Sequence, residues 1–202
     1  MTFDTAKGRW ICLILAALLM LAGGSVIASE EQEIPENLQV PILFKLLTYD
    51  RTLMEKSSEF LRVGVLYRRG DGASEQNMEA LMEVLSSMAE KTIKGKTFEV
   101  VPIPWDRKES IDEGLRSAEV DILYVTRAHK GRLSQITALT RELNILSLTG
   151  VVDYVSGGLG VGVGLEEDHP RIMVNLDAVR AEGHDLESQV LRICKKIQSH
   201  RE

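Results

Sequence analysis

Four short runs of apolar and β-branched residues recur along this chain, each separated from the next by an amphipathic stretch. They are Leu61 to Tyr67 (LRVGVLY), Phe98 to Ile103, Val120 to Thr126 (VDILYVT) and Ile145 to Thr149. A strand that is apolar on both faces must be covered on both faces, and parallel sheets with helical crossovers do this. The intervening segments supply the helices. Met78, Leu81, Met82, Leu85, Met88 and Ala89 recur at helical spacing, as do Leu133, Ile136, Leu139, Thr140 and Leu143. Ser74 is placed to cap the first of these helices, with Asn77 in its first turn, and 110–117 reads as a short helix. Pro102 and Pro104 are expected to stop the second strand. Right-handed crossovers then give a single doubly wound, three-layer α/β/α sandwich with a mostly parallel sheet.

From Ser156 to Gly164 glycine takes every second place: Gly158, Gly160, Gly162 and Gly164, with Val161, Val163 and Leu165 in the other register. Side chains alternate across a strand, so one face is apolar and the other is bare backbone. Each such glycine weakens a strand by roughly 0.5–1 kcal/mol against alanine. Something must therefore approach that face closely, either the chain's own helix or a ligand or partner. Ile172 to Val174 reads as an antiparallel strand closing the sheet. A helix from Asn175 to Gly183 follows, then a last helix from Asp185 with Leu186, Val190, Ile193, Cys194 and Ile197 on one face.

The N-terminus reads differently. Lys7 and Arg9 precede an apolar run from Trp10 to Ala22, and Val26-Ile27-Ala28 offers a cleavage site. The run has about 13 residues where a membrane span needs about 20. Residues 1–28 are thus expected to be a secretory signal peptide, with an uncleaved anchor as the other reading. Residues 29–37 read as a flexible lead-in, 38–198 as one α/β domain and 199–202 as a tail. Cleavage removes two basic residues and one acidic one, taking the formal charge from −6 to −7. Such a balance gives no electrostatic reason to bind nucleic acid or an anionic membrane surface. Only Cys194 remains, so no internal disulfide can form, and it is expected as a buried thiol.

No catalytic constellation emerges. Gly95-Lys96-Thr97 has Glu90 where a phosphate-binding loop needs glycine, and it precedes a strand rather than a helix. The glycine strand has Val163 where a dinucleotide fingerprint needs its third glycine. The histidines 129, 169, 184 and 200 lack metal-ligand spacing, and Asp168-His169 sits in a turn before Pro170. No metal, cofactor or enzymatic activity is expected. Ligands of α/β sheets sit beyond the carboxyl ends of the strands. Here those ends carry Tyr67-Arg68-Arg69, Trp105-Asp106-Arg107, Thr126-Arg127-Ala128-His129 and Thr149-Gly150. That rim could hold a small polar or anionic ligand, or be solvated loop tips.

The helix Leu38 to Tyr49 (LQVPILFKLLTY), with Pro41 in its first turn, must dock on the domain or on a partner. Together with Arg62-Val63-Gly64-Val65-Leu66, Asp121-Ile122-Leu123-Tyr124-Val125, Leu148-Thr149, Gly157-Gly158, VNLDAVRAEG and SQVLRI, it resembles the YfiR-like family of exported bacterial proteins. The resemblance covers about Leu38 to Ile197. It implies a periplasmic, non-enzymatic regulator that contacts a membrane-bound signalling protein, either a diguanylate cyclase that makes cyclic di-GMP or a sensor kinase, and that can form a homodimer. The structural cysteines of the family's type member are missing, so redox control through a disulfide does not carry over. Candidate contact or ligand residues are Phe44, Leu47, Tyr49, Arg68, Arg127, Gly158, Gly160 and Gly162. A second reading is a single-lobe module like those of periplasmic substrate-binding proteins, binding a small polar or anionic ligand for a transporter.

Overall fold

The computed structural model describes residues 34–56, 60–105 and 111–198. The expected signal peptide, most of the lead-in, Asp106, Arg107, Ser110, His200 and the tail 199–202 lie outside the described residues.

In chain order the elements are α1 (Glu36–Leu47), α2 (Leu53–Lys56), β1 (Phe60–Arg68), α3 (Gly72–Ser87), β2 (Thr97–Trp105), α4 (Ile111–Ser117) and β3 (Ile122–Val125). A 3-10 turn at Lys130–Arg132 leads into α5 (Leu133–Leu143), β4 (Leu146–Thr149), α6 (Val152–Ser156), β5 (Val161–Glu166) and β6 (His169–Val174). The last elements are α7 (Leu176–Ala181), α8 (Ser188–Leu191) and β7 (Lys195–Lys196). One seven-stranded sheet has the order β2-β1-β3-β4-β5-β6-β7. Every neighbouring pair is parallel except β5 with β6, where Val161 faces Val174 and Glu166 faces His169.

Period-2 alternation divides the strands between two cores. Val63, Val65, Ile122, Tyr124, Leu146, Leu148, Val161 and Val163 pack with α1 and α3 on one face. Leu66, Ile103, Leu123 and Val125 pack with Ile111 and Leu115 of α4, Ile136 of α5 and Tyr154 of α6 on the other. This is the doubly wound, three-layer α/β/α sandwich with its antiparallel closing pair.

Several local expectations are corrected. Pro102 and Pro104 do not end β2, which runs on to Trp105. β2 is an edge strand, so a proline can lack its N–H toward solvent without breaking a ladder. α1 starts at Glu36, which moves Pro41 from the first turn to the second. Its ring is exposed, and the deprived carbonyl, that of Asn37, belongs to an exposed residue, so the loss is at the water-facing side. Asp71, not Ser74, caps α3, accepting from the Ser74 N–H at 3.1 Å. The helix therefore starts at Gly72 and Asn77 falls in its second turn. Met88 is buried on its face, but Ala89 lies beyond the helix and is exposed. The expected last helix is one turn only. Its chain then joins the sheet as β7, which leaves Ile193 exposed and Cys194 half-buried.

α6 was not legible in the sequence, because five residues are too few to show a helical period. The turn before β6 is Glu167-Asp168, both at positive φ, rather than Asp168-His169. His169 and Pro170 are exposed but already belong to β6, which pairs with β5 from Glu166↔His169 and so starts three residues before the expected Ile172. At the other end of β6, Asn175 caps α7 by accepting from the Ala178 N–H at 3.1 Å, and Gly183 follows the helix at φ 74°.

Candidate functional site

The strand order reverses between β1 and β3, so the loops that follow them leave toward opposite faces of the sheet. A chain of hydrogen bonds ties the carboxyl ends of both strands to α3. Thr126 Oγ1 donates to the Leu66 carbonyl at 2.8 Å and lies 2.7 Å from Ser74 Oγ. Ser74 Oγ accepts from the Arg68 N–H at 2.9 Å. Above this seam the Trp105 and His129 rings stack at 5.7 Å and 11°, with the Arg132 guanidinium 4.4 Å over the indole. The His129 N–H donates to the Tyr154 hydroxyl at 2.8 Å. The imidazole itself is buried and neither ring nitrogen has a hydrogen-bond partner. Burial, joined by the nearby Arg132 and Arg68 charges, lowers its pKa to about 4, so the ring is neutral at pH 7.

The two arginines expected at this rim are there and half-exposed. Arg68 Nη1 is 3.9 Å from Asp71 Oδ2. Arg127 Nη2 is 4.0 Å from Glu36 Oε1, which also accepts from Asn77 Nδ2 at 2.6 Å. Glu36, Gln76, Asn77 and Arg127 border a cavity of about 210 Å³.

The other expected residues are placed elsewhere. Phe44 and Leu47 face the core, Phe44 meeting Phe98 edge to face at 4.9 Å. Tyr49 is half-buried at a different surface, an apolar groove of about 390 Å³ between α1 and the C-terminal turn, shared with Ile42, Leu46, Ile172, Val190 and Ile193. Gly158, Gly160 and Gly162 are buried, and the bare face is covered from within the chain. A Cβ on Gly162 would lie 2.6 Å from Val155 Cγ2, and one on Gly164 2.1 Å from Val152 Cγ2, both on α6. A Cβ on Gly160 would lie 2.8 Å from Glu182 Oε2 and 3.2 Å from Val179 Cγ2. Gly158 precedes the strand at φ 107°, beside Thr137 and Arg141 of α5. The neighbour that the alternating glycines demand is thus the chain's own helices.

Two buried polar clusters escaped the sequence reading. Asp50 and His184 form a fully buried pair, with the second ring nitrogen 3.3 Å from the Asn144 carbonyl. Glu182, also fully buried, accepts from Thr140 Oγ1, Ser147 Oγ and the Ser147 N–H at 2.6–3.0 Å. Burial raises its pKa, against the hydrogen bonds from Ser147 and Thr140. Asp50 and His184 are 134 residues apart, so no local spacing announces them. Cys194 is an ordinary thiol, pushed up to about 11 by burial. Among the described residues no group of three His, Cys, Asp or Glu side chains could hold a metal ion, and no helix is long and apolar enough to cross a membrane.

A model of the family described as YfiR/HmsC-like matches residues 37–195. No curated protein matches. Among solved structures, the chain is similar to CD0873, a substrate binding protein with adhesive properties from Clostridium difficile, at 17% identity and TM-score 0.56, over 73% of this chain and 58% of that one. It is also similar to an ABC domain in complex with L-Trp from Streptococcus pneumoniae, at 13% identity and TM-score 0.56, over 81% and 60%. A conserved domain protein from Vibrio cholerae matches at 12% identity and TM-score 0.55, over 81% and 60%. The chain thus spans about 60% of the length of these structures, and at these identities the similarity is one of fold.

Proposed function

This chain belongs to the YfiR/HmsC-like family, and we propose on that ground that it is a periplasmic regulator acting by contact with a membrane-bound signalling protein. A diguanylate cyclase or a sensor kinase is the partner class the family suggests, with export through cleavage of residues 1–28. The observation that carries this reading is the family match over 37–195, which takes in every described strand apart from Lys196. The apolar groove beside Tyr49 supports it, since a recess of this kind on the surface is a feature of contact sites. Its contact residues in this reading are Tyr49 and Ile193. Phe44 and Leu47 serve by holding α1 to the sheet. Apolar docking there contributes about 25 cal/mol per Å² buried, less the cost of ordering.

The test is affinity capture of tagged residues 29–202 from envelope extracts, paired with cyclic di-GMP measurement in a deletion strain. Retention of a membrane cyclase, with cyclic di-GMP rising on deletion, is the expected result. Retention of a sensor kinase without that rise would assign the second partner class. A chain that stays monomeric, retains no envelope protein and copurifies with a small ligand would overturn the contact mechanism.

A second reading is favoured by one observation, the half-exposed Arg68 and Arg127 at the switch point of a fold shared with substrate-binding proteins. A small polar or anionic ligand would sit there, either as the signal that shifts the regulator between bound and free states or as cargo for a transporter. Calorimetric titration with and without Arg127→Ala separates this from contact alone, and capture of a transporter permease would favour the cargo role.

A further inference from the structure

We propose that the groove between α1 and the C-terminal turn takes an amphipathic helix of a protein partner, one that carries carboxylates beside its apolar face. The proposal rests on the contact reading above and names the chemistry of the contact.

The groove is apolar and solvent-facing. Ile193 is 64% exposed, and only Leu38 among the other described large apolar residues is comparably open. Ile193 shares the groove with Ile42 on α1 and Tyr49 just beyond its end, and Ile172 of β6 and Val190 of α8 complete the walls. The lining follows the chain from Pro41 to Tyr49, about two helical turns, and a recess beside a helix suits apolar side chains at i, i+3 or i+4, and i+7 of a docking helix.

Its charge runs against that of the chain. The protein carries 30 acidic residues to 24 basic ones, yet no carboxylate lines the groove and Lys45 does. Lys45 Nζ lies 5.6 Å over the Tyr49 ring and has no carboxylate partner among the described residues. Lys196 pairs with Val174, two residues along β6 from the groove residue Ile172 and on the same face of the strand. Neither of these cations is paired with an acid among the described residues. An apolar floor with an unneutralised basic rim complements an acidic amphipathic helix and repels a basic one.

The walls are fixed before any partner arrives. The Glu187 N–H donates to the Tyr49 carbonyl at 2.9 Å, Arg51 pairs with Asp185 at 2.9 Å, and the buried Asp50–His184 pair lies beneath. Docking therefore incurs little ordering cost on this side of the interface.

The test uses residues 29–202 and two labelled 18-residue peptides, each an amphipathic helix with leucine along one face, flanked by glutamate in one and lysine in the other. Fluorescence anisotropy should show binding of the glutamate peptide and at least tenfold weaker binding of the lysine peptide. Ile193→Asp should lower affinity for the glutamate peptide at least tenfold, with unchanged circular dichroism because the residue is exposed. Lys45→Glu with Lys196→Glu should reverse the preference. Equal binding of both peptides, binding indifferent to Ile193→Asp, or self-association through the groove in sedimentation would each overturn the proposal, as would tighter binding to anionic lipid vesicles than to the glutamate peptide. If neither peptide binds while the full chain still retains an envelope signalling protein, the groove assignment falls and the contact reading stands. If the glutamate peptide binds as expected but no signalling protein is retained, the contact reading falls and the groove assignment stands.

Discussion

His184 Nδ1 lies 2.5 Å from Asp50 Oδ2, with both side chains fully shielded from water. The other ring nitrogen lies 3.3 Å from the Asn144 carbonyl, so both ring nitrogens meet an oxygen. The pair joins the end of α1 to the segment after α7. Burial acts to raise the Asp50 carboxyl, but the hydrogen bond and charge of His184, with the bonds from Thr52, hold it below its ordinary value.

Asp50 meets His184, the Thr52 N–H and hydroxyl and the Leu53 N–H, so its removal breaks a buried pair and leaves several polar groups without their partner. Asp50→Ala should lower the free energy of unfolding by about 3–5 kcal/mol, measured by urea denaturation at pH 7. Because the folded pKa of Asp50 is depressed, its contribution is present above the ordinary carboxylate range and is lost as pH falls through the folded value. Acid unfolding of Asp50→Ala should accordingly have a shallower dependence on pH below 4 than the wild type.

The glycine face predicts overpacking. Gly162→Val would drive a β-branched side chain against Val155, whose Cγ2 would already be 2.6 Å from the first added carbon. A loss of about 1–3 kcal/mol in stability is expected, read as a lower Tm. Gly70, where no atom lies within 4 Å of an added Cβ, serves as a control for strain alone, since its φ is 80°. A Gly162→Val protein with wild-type Tm would mean that α6 does not pack there in solution.

Glu182→Gln should destabilise by about 1–3 kcal/mol near neutral pH, because one amide edge would present N–H groups to the Ser147 N–H or the Ser147 and Thr140 hydroxyls. Burial raises the folded pKa of Glu182, so its favourable contribution is complete below the ordinary value and declines as pH rises through the folded one. The wild type should therefore gain on the variant as pH is lowered from 7.5 to 5, by chemical denaturation at each pH.

His129 has the opposite sign. Its folded pKa of about 4 lies below the ordinary 6.5, so stability is full above 6.5 and drains as pH falls toward 4, by on the order of 3 kcal/mol in total. His129→Phe keeps the stack on Trp105 and removes two buried nitrogens without hydrogen-bond partners. The variant should be at least as stable as wild type at pH 7, and its advantage should grow between pH 6.5 and 4, followed by Trp fluorescence during urea unfolding.

Period and composition along the chain were enough to specify the α/β/α sandwich. Val63, Val65, Leu123 and Val125 announce buried parallel strands because each is apolar on the face it presents to a helix layer. The 3.6-residue period of α5 fixed that helix at Leu133–Leu143. Glycine alternation fixed that something lies close to β5. What it could not say was what that neighbour is, since α6 is a single turn with no period of its own. Likewise Pro102 and Pro104 read as strand breakers where the sheet order makes β2 an edge, and the last helix reads as running from Asp185 to Ile197 where Lys195–Lys196 instead pairs with β6. Asp50 with His184, and Trp105 with His129, come together only through the crossovers. Short-range pattern sets which face of an element is apolar. The partner of each face is a long-range contact, and only the folded chain, by bringing those distant residues into register, decides it.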